Sequence, residues 1–246
     1  MRLRGLRELV RGIAQLIFPN ACLICDAAEV DCTKFRHGLC TDCLREVSPN
    51  DDRACPRCAM TVGPHTDVSR GCSVCRGESL GFDRAIRLGS YQGRLRDAVL
   101  RIKSGSGEGL AEMLGRVLRE RVSERLTTTG FDLVVPVPLH WRRRLARGYN
   151  QSAALGKELA GGLAVEFAPN LLMRVRHTPQ QIQPSAAARK ENVRGAFRIK
   201  RRASLADRAV LLVDDVLTTG STAGEAARTL REAGARQVIV AVLARR

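Results

Sequence analysis

The chain has 246 residues, 44% of them apolar and only nine aromatic, with a formal net charge of +16. That length suits one sizeable α/β domain plus a small appendage, built around an aliphatic core of Leu, Val, Ala and Ile. No apolar run approaches the ~18 residues that span a bilayer, and the basic N-terminus lacks a small-residue cleavage pattern, so neither a transmembrane helix nor a signal peptide is expected and a cytoplasmic protein is.

Residues 1–20 come first. Leu3, Leu6, Val10, Ile13 and Ile17 recur at helical spacing with Arg2, Arg4, Arg7 and Arg11 elsewhere, which predicts a basic amphipathic helix ending before Pro19. Such a helix packs on the protein's own body, or lies on a membrane surface or nucleic acid. Residues 21–80 follow as a cysteine-rich module with four CxxC pairs: Cys22/Cys25, Cys40/Cys43, Cys55/Cys58 and Cys72/Cys75. Two residues between thiolates let both sulfurs reach one tetrahedral ion, so these pairs predict two structural zinc sites with no open position. Two groupings satisfy the spacing. The sequential one joins 22/25/40/43 and 55/58/72/75; a cross-braced one joins 22/25/55/58 and 40/43/72/75. Redox-active dithiols are disfavoured, since no βαβ pattern surrounds the pairs. Cys32 is left over, and His37 and His65 are not needed as ligands.

From residue 81 the pattern changes to alternating strand and helix. Strands are expected at RAIRLGSY, FDLVVPVP, LLMRVR, AVLLV and QVIVAVLAR. Helices are expected at GRLRDAVLRIK, which Lys103 ends, at GEGLAEMLGRVLRERVSERL, at NQSAALGKELAGGL with Asn150 or Ser152 near its cap, and from about Ser221 to Ala233. Apolar strands alternating with helices predict a parallel sheet covered on both faces, with ligands at the carboxyl ends of the strands.

There the chain reads VLLVDDVLTTGST, residues 210–222. Adjacent strand residues point to opposite faces, so Asp214 and Asp215 are expected to share a ligand because the chain leaves the strand in the loop Val216 to Gly220. A loop of Gly and hydroxyl residues opening a helix is an anion cradle. Carboxylates beside it suit sugar hydroxyls or a magnesium ion. Phosphate plus vicinal hydroxyls describes a ribose 5-phosphate.

This segment resembles the phosphoribosyl-pyrophosphate (PRPP) motif of type I phosphoribosyltransferases. The resemblance implies a ribose-hydroxyl pair at Asp214 and Asp215 and a 5-phosphate loop at Thr218, Thr219, Gly220, Ser221 and Thr222. With the cysteine knuckles, VPVPLHWRRRLARGYNQS and RVRHTPQQ followed by RKENVRGAF, the chain as a whole is similar to the ComF family, a double zinc ribbon joined to a type I phosphoribosyltransferase-like domain (here residues 81–246). The fold implied is α/β, with zinc and magnesium–PRPP as cofactors. The family's association with natural transformation implies partners in single-stranded DNA and the DNA-uptake machinery. In that fold the turn at PVPL approaches the pyrophosphate, and Arg142, Arg143, Arg144 and Arg147 supply charge there or form a solvated face, with Lys103 a further candidate. From Arg174 to Arg208 ten cations stand against two acids, a lid or a polyanion track beside the pocket. Two functions follow: a PRPP-responsive protein that handles DNA, and a magnesium-dependent transferase acting on an unidentified acceptor. For the second, His140, His177, Lys103 and Lys190 are the bases available.

Overall fold

The computed structural model describes residues 21–27, 35–49, 53–126, 130–176, 178, 186–200 and 204–246. The helix expected over residues 1–20, Cys32 and His177 lie outside the described residues.

Five parallel strands form the central sheet. In chain order they are β3 (Arg84–Ser90), β4 (Leu133–Pro136), β5 (Glu166–Phe167), β8 (Ala209–Leu217) and β9 (Gln237–Arg245), hydrogen-bonded in the order β3-β9-β8-β4-β5. The two longest strands, β8 and β9, sit centrally and read as nearly continuous apolar runs because both faces are covered. The two-residue alternation of a strand sorts their side chains. Leu211, Val213, Ile239, Ala241 and Leu243 face one core with the helices α2 (Gly93–Arg101), α3 (Glu108–Leu126) and α5 (Gln151–Leu163). Val210, Leu212, Val238, Val240 and Val242 face a second core with α7 (Ser221–Glu232).

The cysteine-rich segment carries a short hairpin, β1 (Phe35–Arg36) and β2 (Leu39–Cys40), and the helix α1 (Thr41–Val47). The two halves repeat one backbone device. The residue after the second cysteine of each leading knuckle, Asp26 or Ala59, takes φ of 58°, and its amide returns to the carbonyl of the first, Cys22 or Cys55, at 2.9 and 2.8 Å. The first half shares the α2/α3 core through Leu39, Cys43 and Val47. The second half packs mainly around its own four sulfurs.

Several expectations are corrected. Strand β8 does not end before the acid pair but runs on to Leu217, still paired with β9. Helix α2 stops at Arg101, so Lys103 lies in the following turn. Leu172–Arg174 (β6) pairs antiparallel with Phe197–Ile199 (β7), outside the main sheet. Two helices stand where no helical pattern was legible, α4 (Trp141–Arg147) and α6 (Ala186–Val193).

Candidate functional site

The eight cysteines form two groups, 22/25/40/43 and 55/58/72/75, with the sulfurs of each all within 4.8 Å of one another. The sequential grouping is thus the one the fold brings together. Sulfur separations of 3.8 Å (Cys25–Cys40), 3.7 Å (Cys55–Cys75) and 3.5 Å (Cys58–Cys72) approach the ~3.8 Å edge of a tetrahedron with Zn–S bonds of ~2.3 Å. Each group therefore fits zinc. Burial opposes ionisation of Cys22, but amides of Cys25, Cys40 and Ile24 donating to its sulfur outweigh it and bring the thiol down to about 6. Arg94 also donates to Cys43 Sγ at 2.7 Å, the kind of outer contact that orients a thiolate.

The second feature is a cavity of about 610 Å³ at the carboxyl edge of the sheet. It opens because β4 stops: Pro136 pairs with Val213, and the chain then leaves through Pro138. Beyond Val213, β8 has no paired strand on that side among the described residues, and each carboxylate turns back onto a strand amide. Asp215 N donates to Asp214 Oδ1 at 2.9 Å, and Val216 N to Asp215 Oδ1 at 2.8 Å. The alternation of an isolated strand is thereby overridden. Both acids line one cavity while the strand continues.

Helix α5 starts directly against the pair. Asn150 caps it, accepting from Ser152 N at 3.1 Å, and its amide group donates to Val137 O at 3.2 Å. The first turn is so held that Ser152 Oγ reaches Asp214 Oδ1 (3.0 Å) and Gln151 Nε2 reaches Asp215 Oδ2 (3.2 Å). Lys103 Nζ lies 3.2 Å from the same Asp215 oxygen. Its turn is fastened by the Tyr149 hydroxyl, which donates to Ile102 O and is pushed up to about 12 by burial. Burial and the neighbouring Asp215 charge raise Asp214 to about 7, against the Asp215 amide, Ser152 and Lys103, which favour the carboxylate.

Opposite the acids, Thr218, Thr219, Ser221 and Thr222 line the cavity at the start of α7. Gly220, whose φ of 81° is left-handed, makes the turn into the helix without lining the cavity. Thr219 Oγ1 and Ser221 Oγ are 2.9 Å apart. Cations fill the remaining wall: Lys103, Arg143, Arg147, Arg174, Arg189 and Arg246. Arg144 is exposed and does not line it. Among the base candidates, His140 is buried and caps α4, accepting from Arg142 N, and Lys190 lines an adjoining cavity of about 500 Å³ that shares Thr218, Thr219 and Ser221 with the first.

Sequence reasoning singled out neither Ser152 nor Arg174 as a site residue. Arg174 crosses the Phe197 ring at 5.5 Å, donates to Thr178 Oγ1, and has its pKa lowered by burial and by Arg143. Its buried Nε has no hydrogen-bond partner among the described residues. A guanidinium held there with spare donor capacity suits an anion. No local pattern marks it, because the β6–β7 pairing that delivers it joins Arg174 to Phe197, far along the chain. The segment Gly195–Ile199 is tied to α7 by the buried Glu225, which accepts from Gly195 N at 2.6 Å. Part of the basic stretch is therefore built into the wall of the site.

Among the described residues no helix is long and apolar enough to cross a membrane. Two family models match, the double zinc ribbon domain over residues 13–78 and the phosphoribosyl transferase domain over residues 150–246. The chain is 32% identical over 233 residues to DNA utilization protein YhgH of Escherichia coli (strain K12), covering 94% of this chain and 99% of that protein. It is 30% identical to Competence protein F of Haemophilus influenzae, covering 85% and 91%. A solved glutamine PRPP amidotransferase from B. subtilis is similar at 24% identity and a TM-score of 0.38, over 58% of this chain and 26% of that one. With both family models matched in order and relatives aligned along nearly the whole length, the chain belongs to the ComF family, that of YhgH and competence protein F.

Proposed function

We propose that the protein binds PRPP with magnesium in the cavity at the carboxyl edge of the sheet, and that this ligand governs its work on DNA in the cytoplasm. The observation that carries the reading is the acid pair Asp214–Asp215, each member held by a donor from the first turn of α5 and faced by the hydroxyl-rich start of α7. Carboxylates accept from vicinal ribose hydroxyls. Amides of the helix start and the hydroxyls of Thr218, Thr219, Ser221 and Thr222 donate to a 5-phosphate. Arg143, Arg147, Arg174 and Lys103 meet the diphosphate by charge-assisted hydrogen bonds. Magnesium, when bound with the ligand, neutralises part of the diphosphate charge. The names of the relatives, DNA utilization protein and competence protein F, support a role in handling incoming DNA together with the uptake machinery. The net charge of +16 suits such a polyanion.

Calorimetric titration of magnesium–PRPP into zinc-replete protein tests the reading. Saturable binding is expected, weakened at least about 100-fold in Asp214→Asn/Asp215→Asn, since two charged acceptors to buried hydroxyls are lost. No saturable heat from folded, metal-replete protein would end it. Pyrophosphate release that needs an added nucleophile would reassign the site to group transfer.

A pH dependence follows from Asp214. Its proton affinity is raised in the folded protein to about 7, so its contribution to the stability of the ligand-free protein is fully present below its ordinary value near 4 and lost as pH rises through 7. A ligand that needs the carboxylate works in the opposite sense. Affinity is expected to rise from pH 6 to pH 8, up to about tenfold per pH unit below 7, with proton release on binding near pH 6.5. Titrations in buffers of different ionisation enthalpy measure that release; uptake instead would contradict the assignment.

A further inference from the structure

Helix α4 has two faces with different chemistry. Arg143 and Arg147, one turn apart, line the cavity. Trp141 and Leu145, also one turn apart, do not: they are 57% and 75% exposed, more than any other large apolar side chain among the described residues. None of the seven helix residues is buried, and the tilted contact of the Trp141 ring with His140, centroids 5.6 Å apart, leaves both apolar side chains largely exposed. The guanidinium of Arg142 stands over the Trp141 ring, 5.3 Å from its centroid, and Arg144 is exposed beside them. Four arginines and no acid occupy this one short helix.

We infer that the outer face of α4 is a base-stacking platform for single-stranded DNA at the rim of the PRPP cavity, with Trp141 the stacking ring and Arg142 and Arg144 the phosphate contacts. The inference rests on the reading above that the protein works on DNA. A flat aromatic surface beside cations that have no acidic partner among the described residues matches a partner with a dense negative backbone and exposed apolar faces. Unpaired nucleotides present both, whereas a duplex hides its base faces. An acidic protein segment would answer the charge but leave the ring without a flat partner. Because α4 carries cavity cations on its other side, DNA on the outer face and a diphosphate on the inner one would meet through the same seven residues.

Trp141 is the only tryptophan in the chain, so its emission reports on the platform directly. Titration with oligo(dT) at low salt is expected to quench that emission saturably, and a duplex of equal length is not. By fluorescence anisotropy of labelled oligo(dT), Trp141→Ala is expected to weaken binding about tenfold with an unchanged salt slope, while Trp141→Phe keeps most of the affinity. Arg142→Ala/Arg144→Ala is expected to shrink the slope of log affinity against log salt by about 2. Thermal melting verifies that each variant is folded. Oligonucleotide binding with unchanged Trp141 emission and undiminished affinity in Trp141→Ala would overturn the platform and leave the DNA reading intact. Equal quenching by duplex would also overturn it. No binding to any DNA at low salt would remove both.

Discussion

Removing zinc is expected to undo the two cysteine modules unequally, and the second should carry the larger structural penalty. The reason lies in what else holds each one. The first tetrad shares a core with Leu39, Val47 and the residues of α2 and α3, and Arg101 donates to Ile24 O at 2.8 Å. The second is centred on its four buried cysteines, with Met60, Val62, Val68 and Leu80 packed partly against them and Ala59 its one apolar side chain buried in the domain core. A segment with so little apolar area cannot offset its backbone entropy, so metal binding must supply most of its folding free energy, roughly 10 kcal/mol or more by comparison with zinc-finger peptides. Access to a chelator runs the other way. Cys25 is exposed, whereas all four cysteines of the second tetrad are buried. Two zinc ions per chain are therefore expected by elemental analysis, the first released quickly and with little change. Release of the second should open residues 53–80 to proteolysis. Cleavage beginning in residues 35–49 while the second tetrad still holds zinc would refute this order.

The other large effect is expected at Arg245, where a single buried side chain joins the second tetrad to the start of the loop Thr218–Thr222. Its Nε donates to Cys58 O at 3.0 Å, and Nη1 donates to Leu217 O at 3.0 Å and to the Thr218 and Arg246 carbonyls. Burial lowers its pKa. The Cys58 thiolate chiefly, with Cys72 and Cys75, works to raise it, and Arg87 works to lower it further. The sulfur cluster is thus its counter-charge, since four thiolates around one zinc ion carry a net charge of −2. Arg245→Met removes the cation and leaves those carbonyls buried without their donor. A loss of about 3–5 kcal/mol is expected, about 10 °C or more in Tm for a domain of this size. Because the Thr218 carbonyl is one of the anchors, PRPP affinity should fall about tenfold as well. Arg245→Lys should recover only part, because one ammonium cannot span Cys58 and Leu217 together. In a double-mutant cycle the Arg245→Met penalty should shrink when Cys58→Ser has already displaced the metal. Unchanged PRPP affinity in Arg245→Met would show that the phosphate loop is set without the zinc module.

These two expectations divide along the same line as the sequence and the fold. The zinc ligands were legible because metal geometry is local: a CxxC pair presents two sulfurs whatever surrounds it, and only the choice between sequential and cross-braced grouping awaited the fold. The central strands were legible because their burial on both faces demands unbroken apolar runs such as AVLLV and QVIVAVLAR. The loop Thr218–Thr222 was legible because a left-handed turn at Gly220 and the hydroxyls around it fall within five residues.

Helix α4 was not legible in WRRRLAR, nor α6 in AAARKENV, since a helix that buries little of itself leaves no apolar period to read. The convergence of Asp214 and Asp215 was credited to a chain leaving its strand. The cause is a neighbouring strand that ends at Pro136, a fact about β4 that no residue near the acids encodes. Ser152, Arg174 and Arg245 meet the site from positions tens of residues away. The sequence by itself determined which motifs this protein carries, two cysteine tetrads suited to zinc and one loop of glycine and hydroxyls opening a helix, because each is written in short local spacings. Only the tertiary structure decided that they are joined, because a buried cation shared between the carbonyls of Cys58 and Thr218 exists only once the sheet brings β9 between them.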